Sequence, residues 1–480
     1  MSVALVSLVM WSLGFVNATA TASGDYRDPA FLQHDLDNIS RASLEAAQVG
    51  ELLDPTYLQA LLQIGGETWL ANVDEQLDAL ASGRAYLGLG QLIPGGAVGD
   101  PVAYHEVEPL EANFVTRTGA ELQGHLFWDG EPGPHPGVVI TSGSIQGVQQ
   151  GYWWAARTLA RSGYVVLAWD AQGQGDSETF GHDPGSTVPN LAGFPSQQDA
   201  NFVDGTIDAL RFFLSSASEP YLPAGWTTSD VEAVRAQGQS TILWSNPLAG
   251  VLDATRIGLA GHSLGGYAVA VVQQCSDERT AWHTEPACGG RPYPIRAVVS
   301  WDGFAGGVTP VVPTMMQWAD GPNYFLNPLP APSAPDPGGA NFRSWRDAGV
   351  DSYTFSVRGG THVEWWVAPL VGLRTSYGNQ QVDFYTLAWF ERYLRPEPER
   401  QAVGAATLLT GPVPDRLTAG ADEYPWRANF FSARYYSGFA FTDTVGRLRE
   451  ADDLRAYAGL SAIGDWAGAN RDQPAARQPN

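Results

Sequence analysis

In Gly261-His262-Ser263-Leu264-Gly265-Gly266 a serine stands among glycines, preceded by the apolar run Ile257-Gly258-Leu259-Ala260 and followed by Tyr267-Ala268-Val269-Ala270-Val271-Val272. These flanks predict strand, sharp turn and helix, the setting in which a G-x-S-x-G sequence forms a nucleophile elbow, a turn that lifts a serine oxygen off a sheet edge. Gly261 and Gly265 lack a Cβ, which lets the helix pass close to the strand it has just left. Ser263 then lies at a helix N-terminus. Free N–H groups and the helix dipole there favour the negative charge that forms when a serine oxygen attacks a carbonyl.

Such a serine needs a base, and the composition narrows which. All 27 basic residues are Arg, and no Lys occurs anywhere in the chain. P-loop phosphate binding, Schiff-base chemistry and a Ser-Lys dyad each require a Lys, so all three are excluded. The 8 His are scattered singly, with no H-E-x-x-H and no Cys/His cluster at ligand spacing, so no metal and no cofactor is expected. Only His283 and His362 follow the elbow. His283 lies between the two cysteines, whereas His362 ends Arg358-Gly-Gly-Thr-His362 after a predicted strand, which makes it the candidate base. Two carboxylates compete to orient it: Asp302, ending Ala297-Val-Val-Ser-Trp, and Asp320, following Thr314-Met-Met-Gln-Trp-Ala.

The elements that must position these residues can be read from the hydrophobic pattern. Residues 25–90 have helical spacing, and Asn113 to Trp128 alternates as two strands turning at Thr118-Gly119. A βαβ unit follows, with Gly137 to Thr141 and Tyr164 to Asp170 as strands and Tyr152 to Arg161 as the helix. Ala200 to Ser215 is helix-like. The stretch 217–253, with Trp226, Trp244 and several prolines around a helical patch at Val231 to Arg235, is longer than a crossover requires. It is either a lid or pocket wall, or surface decoration. Ile295 to Trp301, Thr314 to Trp318 and Ser352 to Val357 read as strands, Asn327 to Ala340 as a loop, and Val382 to Leu394 as a helix ending before Pro396. Beyond it, Phe430 to Phe441 has strand character.

Motif, chain order and strand count over roughly residues 105–396 resemble the α/β-hydrolase fold. That resemblance implies a mostly parallel twisted sheet with helices on both faces, carrying an N-terminal helical extension over 23–104, the insertion over 217–253 and a C-terminal extension over 397–480. It also implies a triad in the order nucleophile, acid, histidine, with His362 in the loop where the family keeps its base. Bacterial cutinases place the acid after the later strand, but laid on their strand start that position falls at Pro322. The branch resembling platelet-activating factor acetylhydrolases places it after the earlier strand, which Val298-Val-Ser-Trp-Asp302-Gly matches, so Asp302 is favoured over Asp320. The oxyanion hole would use the backbone N–H of Leu264 and, from Thr141-Ser142-Gly143-Ser144, that of Ser144 or its neighbour Ile145; Ser142 replaces the family's usual histidine. Trp153, Trp154, Trp301, Trp365 and Trp366 cluster beside these positions, as pocket walls or as core.

The function implied is a serine hydrolase cleaving a small or lipid-like carboxylic ester through an acyl-enzyme. Amide cleavage by the same residues, or a binding protein on an inert scaffold, are the competing readings. A net charge of -24 repels phosphate backbones, so nucleic acid is not an expected partner. Val3 to Val16 is apolar but too short to span a bilayer, and Ala18-Thr19-Ala20 follows it, which predicts a secretory signal peptide over 1–22. An exported protein with two cysteines, Cys275 and Cys288, is expected to join them.

Overall fold

The computed structural model of the chain describes residues 107–451 except 108, 145–147, 194–197, 239–240, 278–287, 290–291, 304–306, 320–336, 358–361, 363–364, 367–375, 396–436 and 443–445. The expected signal peptide, the helices over 23–104, His283, Ile145 and Asp320 lie outside the described residues.

Four short strands open the described chain: β1 (Leu110–Glu111), β2 (Phe114–Val115), β3 (Glu121–Leu122) and β4 (Gly124–Phe127). β2 and β3 form the hairpin read at Thr118-Gly119, but the second strand breaks at Gln123 and β4 departs to pair with the main sheet. β5 (His135–Thr141), apolar over Val138 to Ile140, and β6 (Val165–Trp169), apolar throughout, are strands covered on both faces. Between them lie a 3-10 turn at Gln149–Tyr152 and α1 (Trp153–Arg161). The hairpin of β7 (Gly181–His182) and β8 (Pro189–Asn190), then α2 (Asp199–Phe213) and α3 (Thr228–Arg235), lead to β9 (Leu252–His262) and α4 (Leu264–Val272). β10 (Ile295–Trp301), β11 (Thr314–Ala319), α5 (Pro337–Asp347), β12 (Ser352–Val357), α6 (Ser376–Leu394), β13 (Gly438–Thr442) and β14 (Leu448–Ala451) complete the described elements.

The main sheet has 10 strands in the order β1-β4-β6-β5-β9-β10-β11-β12-β13-β14. From β6 to β12 every pair is parallel, and the flanking pairs are antiparallel. The protein has an α/β fold. One face is covered by α1 and α6, with Trp154, Trp301 and Trp389 in its core; α2 and α4 cover the other, where Trp169, Phe212 and Val269 are buried. Strand order reverses between β5 and β9, because the chain leaves β5 toward one edge and returns to build toward the other. A ligand crevice forms at such a switch point, outside the carboxyl ends of the two strands.

Two sequence expectations change, and the 217–253 stretch gains a seat. Residues 337–340, read as part of a loop, begin α5. Pro337 suits a first helical position, and the Gly338-Gly339 pair behind it masked the helix, whose Phe342 and Trp345 are buried. The strand character toward Phe441 belongs to β13, which pairs with β12, so the sheet continues beyond Pro396. In the 217–253 stretch, Tyr221 Oη donates to the Val115 carbonyl at 2.8 Å, Trp226 Nε1 to that of Arg117 at 3.2 Å and Leu243 N–H to that of Asn113 at 2.7 Å. The stretch rests on the β2–β3 hairpin. Among the described residues no helix is long and apolar enough to cross a membrane.

Candidate active site

Ser263 follows directly on β9 and caps α4 with φ 55° and ψ -120°. A residue with a Cβ rarely holds a positive φ, so the surroundings must impose it. Ser263 N–H donates to the Trp301 carbonyl at 2.9 Å, which ties the turn to the end of β10, and the Ser263 carbonyl accepts Tyr267 N–H at 3.0 Å. The elbow glycines do what their spacing predicts. A Cβ on Gly261 would overlap the Gly265 carbonyl, and one on Gly265 would overlap the carbonyls of Thr141 and Ser142. The start of α4 is therefore wedged between β9 and β5, where a methyl group does not fit.

Asp302, one residue beyond β10, is buried and holds φ 49°. Its N–H donates to the Gln317 carbonyl at 2.7 Å, continuing the β10–β11 ladder past the strand end. His362 follows β12 in sequence, and in the sheet β11 lies between β12 and β10. His362 is 4% exposed; its Nδ1 lies 2.6 Å from Asp302 Oδ2 and its Nε2 2.9 Å from Ser263 Oγ. Nδ1–H donates to the carboxylate, leaving Nε2 bare to accept the serine proton. The turn carrying His362 is pinned from three sides. His262 Nε2 meets the His362 carbonyl at 2.7 Å, Trp154 Nε1–H donates to the Trp365 carbonyl at 3.0 Å, and Trp365 Nε1–H donates to Gln317 Oε1 on β11 at 2.8 Å.

The structure thus brings together Ser263, Asp302 and His362. Leu264 is the first residue of α4, where an N–H has no partner within the helix. Ser144 lies in the turn after β5, and that turn abuts the serine: a Cβ on Gly143 would stand 3.2 Å from Ser263 Cβ. Gly143 N–H is already donated to Tyr152 Oη at 3.0 Å, so it is not available as an oxyanion donor; the alternative Ile145 lies outside the described residues. Of the two roles left open for the tryptophans, four of the five take the core. Trp154, Trp301 and Trp365 are core, at 1%, 0% and 0% exposure, and Trp153 is buried at 5%; Trp366 is partly exposed and packs on Gly151.

Composition and motif did not expose four residues that build the site. Tyr152, His262, Gln174 and Gln317 are buried polar side chains that hold its loops. For His262 a signal was present: strand alternation puts it on the face of Ala260, under α1. Burial, followed by the nearby His362, pushes its imidazole well below the usual histidine range, so it is neutral. Compared with models of known protein families and with curated proteins, the chain matches none of them.

Proposed function

We propose that the protein is a serine hydrolase of the α/β-hydrolase fold that cleaves carboxylic esters through an acyl-enzyme on Ser263. One observation carries this reading: Ser263 Oγ, His362 and Asp302 stand in a hydrogen-bonded row at 2.9 Å and 2.6 Å, with the serine on a positive-φ turn at the sheet's switch point. In this mechanism Ser263 Oγ attacks the acyl carbon while His362 Nε2 takes its proton. The carbonyl oxygen becomes an alkoxide, which the N–H groups of Leu264 and Ser144 stabilise. Collapse expels the alcohol, which takes the proton back from Nε2. A water then attacks the acyl-enzyme, again giving a proton to Nε2, and the carboxylic acid leaves with Ser263 restored. Asp302 keeps the imidazole in the required tautomer and stabilises the imidazolium.

The test combines labelling with kinetics. A fluorophosphonate probe should label the protein at Ser263, and Ser263→Ala or His362→Ala should each lower ester turnover by several orders of magnitude, with little added by combining them. Asp302→Asn should lower kcat by roughly 10⁴ with binding largely kept. A folded Ser263→Ala protein that keeps a hundredth of wild-type turnover sinks the reading. A panel of esters of varied acyl length alongside matched anilides reports the leaving group; preference for the anilides would replace the ester assignment. Export is part of the same proposal, supported by the buried Cys275–Cys288 disulfide and the apolar start of the chain. N-terminal sequencing of the mature protein, expected to begin near residue 23, checks it.

A further inference from the structure

Beneath the candidate site runs a line of hydrogen bonds whose direction is fixed at every link. His262 Nε2 lies 2.7 Å from the His362 carbonyl, and a carbonyl only accepts, so Nε2 carries the proton. A neutral imidazole has one N–H, which leaves Nδ1 bare. The Tyr152 hydroxyl, 2.8 Å away, must therefore donate to it. With its proton engaged, Tyr152 Oη accepts from Gly143 N–H at 3.0 Å, and the Gly143 carbonyl accepts from Gln174 Nε2–H at 2.8 Å. Gln174, Tyr152 and His262 are all buried, at 1%, 1% and 4% exposure. Burial holds the Tyr152 phenol far above its usual range, and so protonated.

The two ends of this line are the two halves of the chemistry. One end is the backbone of His362. The other is the Gly143–Ser144 peptide, which is trans, so its carbonyl and the Ser144 N–H point in opposite directions. Gln174, by holding that carbonyl, aims the Ser144 N–H. Resting on the serine hydrolase reading above, we propose that Tyr152 and His262 are positioning residues that lock the base-bearing turn after β12 to the oxyanion loop after β5. Neither residue touches substrate. His262 sets the His362 backbone so that its ring meets Ser263 and Asp302 together; Tyr152 sets Gly143 so that the following amide faces the alkoxide. The tyrosine ring stacks on Trp301 at 6.3 Å and 3°, next to Asp302, which places its hydroxyl between the two loops.

The experiment uses Tyr152→Phe, which keeps the stacked ring and removes only the hydroxyl, and His262→Gln set beside His262→Leu. Tyr152→Phe leaves Gly143 N–H and His262 Nδ1 unpaired. Displacement of catalytic groups by about 1 Å costs on the order of 10²-fold, so kcat should fall roughly 10²-fold with KM within about twofold. The Gln amide can still donate to the His362 carbonyl, so His262→Gln should recover much of the kcat that His262→Leu loses. A purely packing role predicts a lower melting temperature with unchanged kcat for Tyr152→Phe and no advantage of Gln over Leu; either result overturns the proposal. Fluorophosphonate labelling of the wild type separates this outcome from failure of the hydrolase reading. Were the wild type to take no label, the far-downfield proton resonance of His362 Nδ1–H still decides: it should shift or broaden in Tyr152→Phe, and an unmoved resonance refutes the lock.

Discussion

At Ser263 the backbone holds φ 55° and ψ -120°, a state that only glycine adopts without strain. Such strain costs on the order of 1–3 kcal/mol, and any side chain with a Cβ bears it. In ordinary positions glycine is less stable than alanine by roughly 0.5–1 kcal/mol, through the entropy of its unfolded chain. Here the order should invert: Ser263→Gly should be more stable than Ser263→Ala by about 1 kcal/mol, both having lost the bond to His362. Urea unfolding of the two variants measures it, and an alanine variant equal to or above the glycine variant would show that the turn is not strained. Ser263, His362 and Asp302, which the structure brings into one hydrogen-bonded row, were legible because the proposed chemistry demands particular residue types in a particular chain order. Tyr152 and Gln174 were not. Tyr152 joins the Gly143 N–H, nine residues away, to the His262 ring, 110 residues away, and Gln174 holds the Gly143 carbonyl from 31 residues away; no local pattern announces which group a buried polar side chain will meet.

Among the elements, those set by local pattern were the legible ones. The strand bounds Ile295–Trp301 follow from an apolar run and Ser352–Val357 from strict polar–apolar alternation, and α4 follows from the small residues after the elbow. The pairing of β13 with β12 depends on contacts across the long interval from 357 to 438, which periodicity does not carry. The disulfide belongs to this scale as well. Cys275 lies in the 3-10 turn after α4, and its carbonyl accepts Tyr293 N–H at 3.1 Å. The disulfide and this hydrogen bond together tie the end of α4 to the segment that enters β10, the strand that leads to Asp302. The Cα atoms are 5.6 Å apart across a sequence separation of 13, and closing a loop of that size contributes roughly 3 kcal/mol in the chain-entropy model. Mass spectrometry of the non-reduced protein should find no free thiol, and mild reduction should lower the unfolding free energy by about that amount. Two alkylatable thiols in the native protein would contradict both the pairing and the export proposal.

For the molecule as a whole, the net charge of -24 and one buried carboxyl should shape stability in the same direction as pH rises. Asp170, just past β6, is fully buried and accepts Gln149 N–H at 2.6 Å, beside the loop that precedes α1. Burial is the largest influence on it and raises its pKa to about 7, against hydrogen bonds from Gln149 and Asp176 that pull it down. Because the folded-state pKa lies above the unfolded one, the folded protein binds the extra proton. Its contribution to stability is whole below about pH 4 and is lost as pH rises through about 7. Surface carboxylates ionise over much of the same range and add mutual repulsion, so a falling melting temperature alone assigns nothing. Salt separates the two. At about 0.5 M the screening length is only a few Å, which suppresses repulsion between exposed charges but leaves a buried carboxyl largely unaffected. Asp170→Asn keeps an oxygen to accept Gln149 N–H and removes the titration. The melting temperature of the wild type, followed from about pH 4 to 8 in high salt, should still decline, while that of Asp170→Asn should be nearly flat. Parallel curves for the two proteins would mean that the carboxyl is ionised throughout the range and that its buried site is more polar than its contacts indicate.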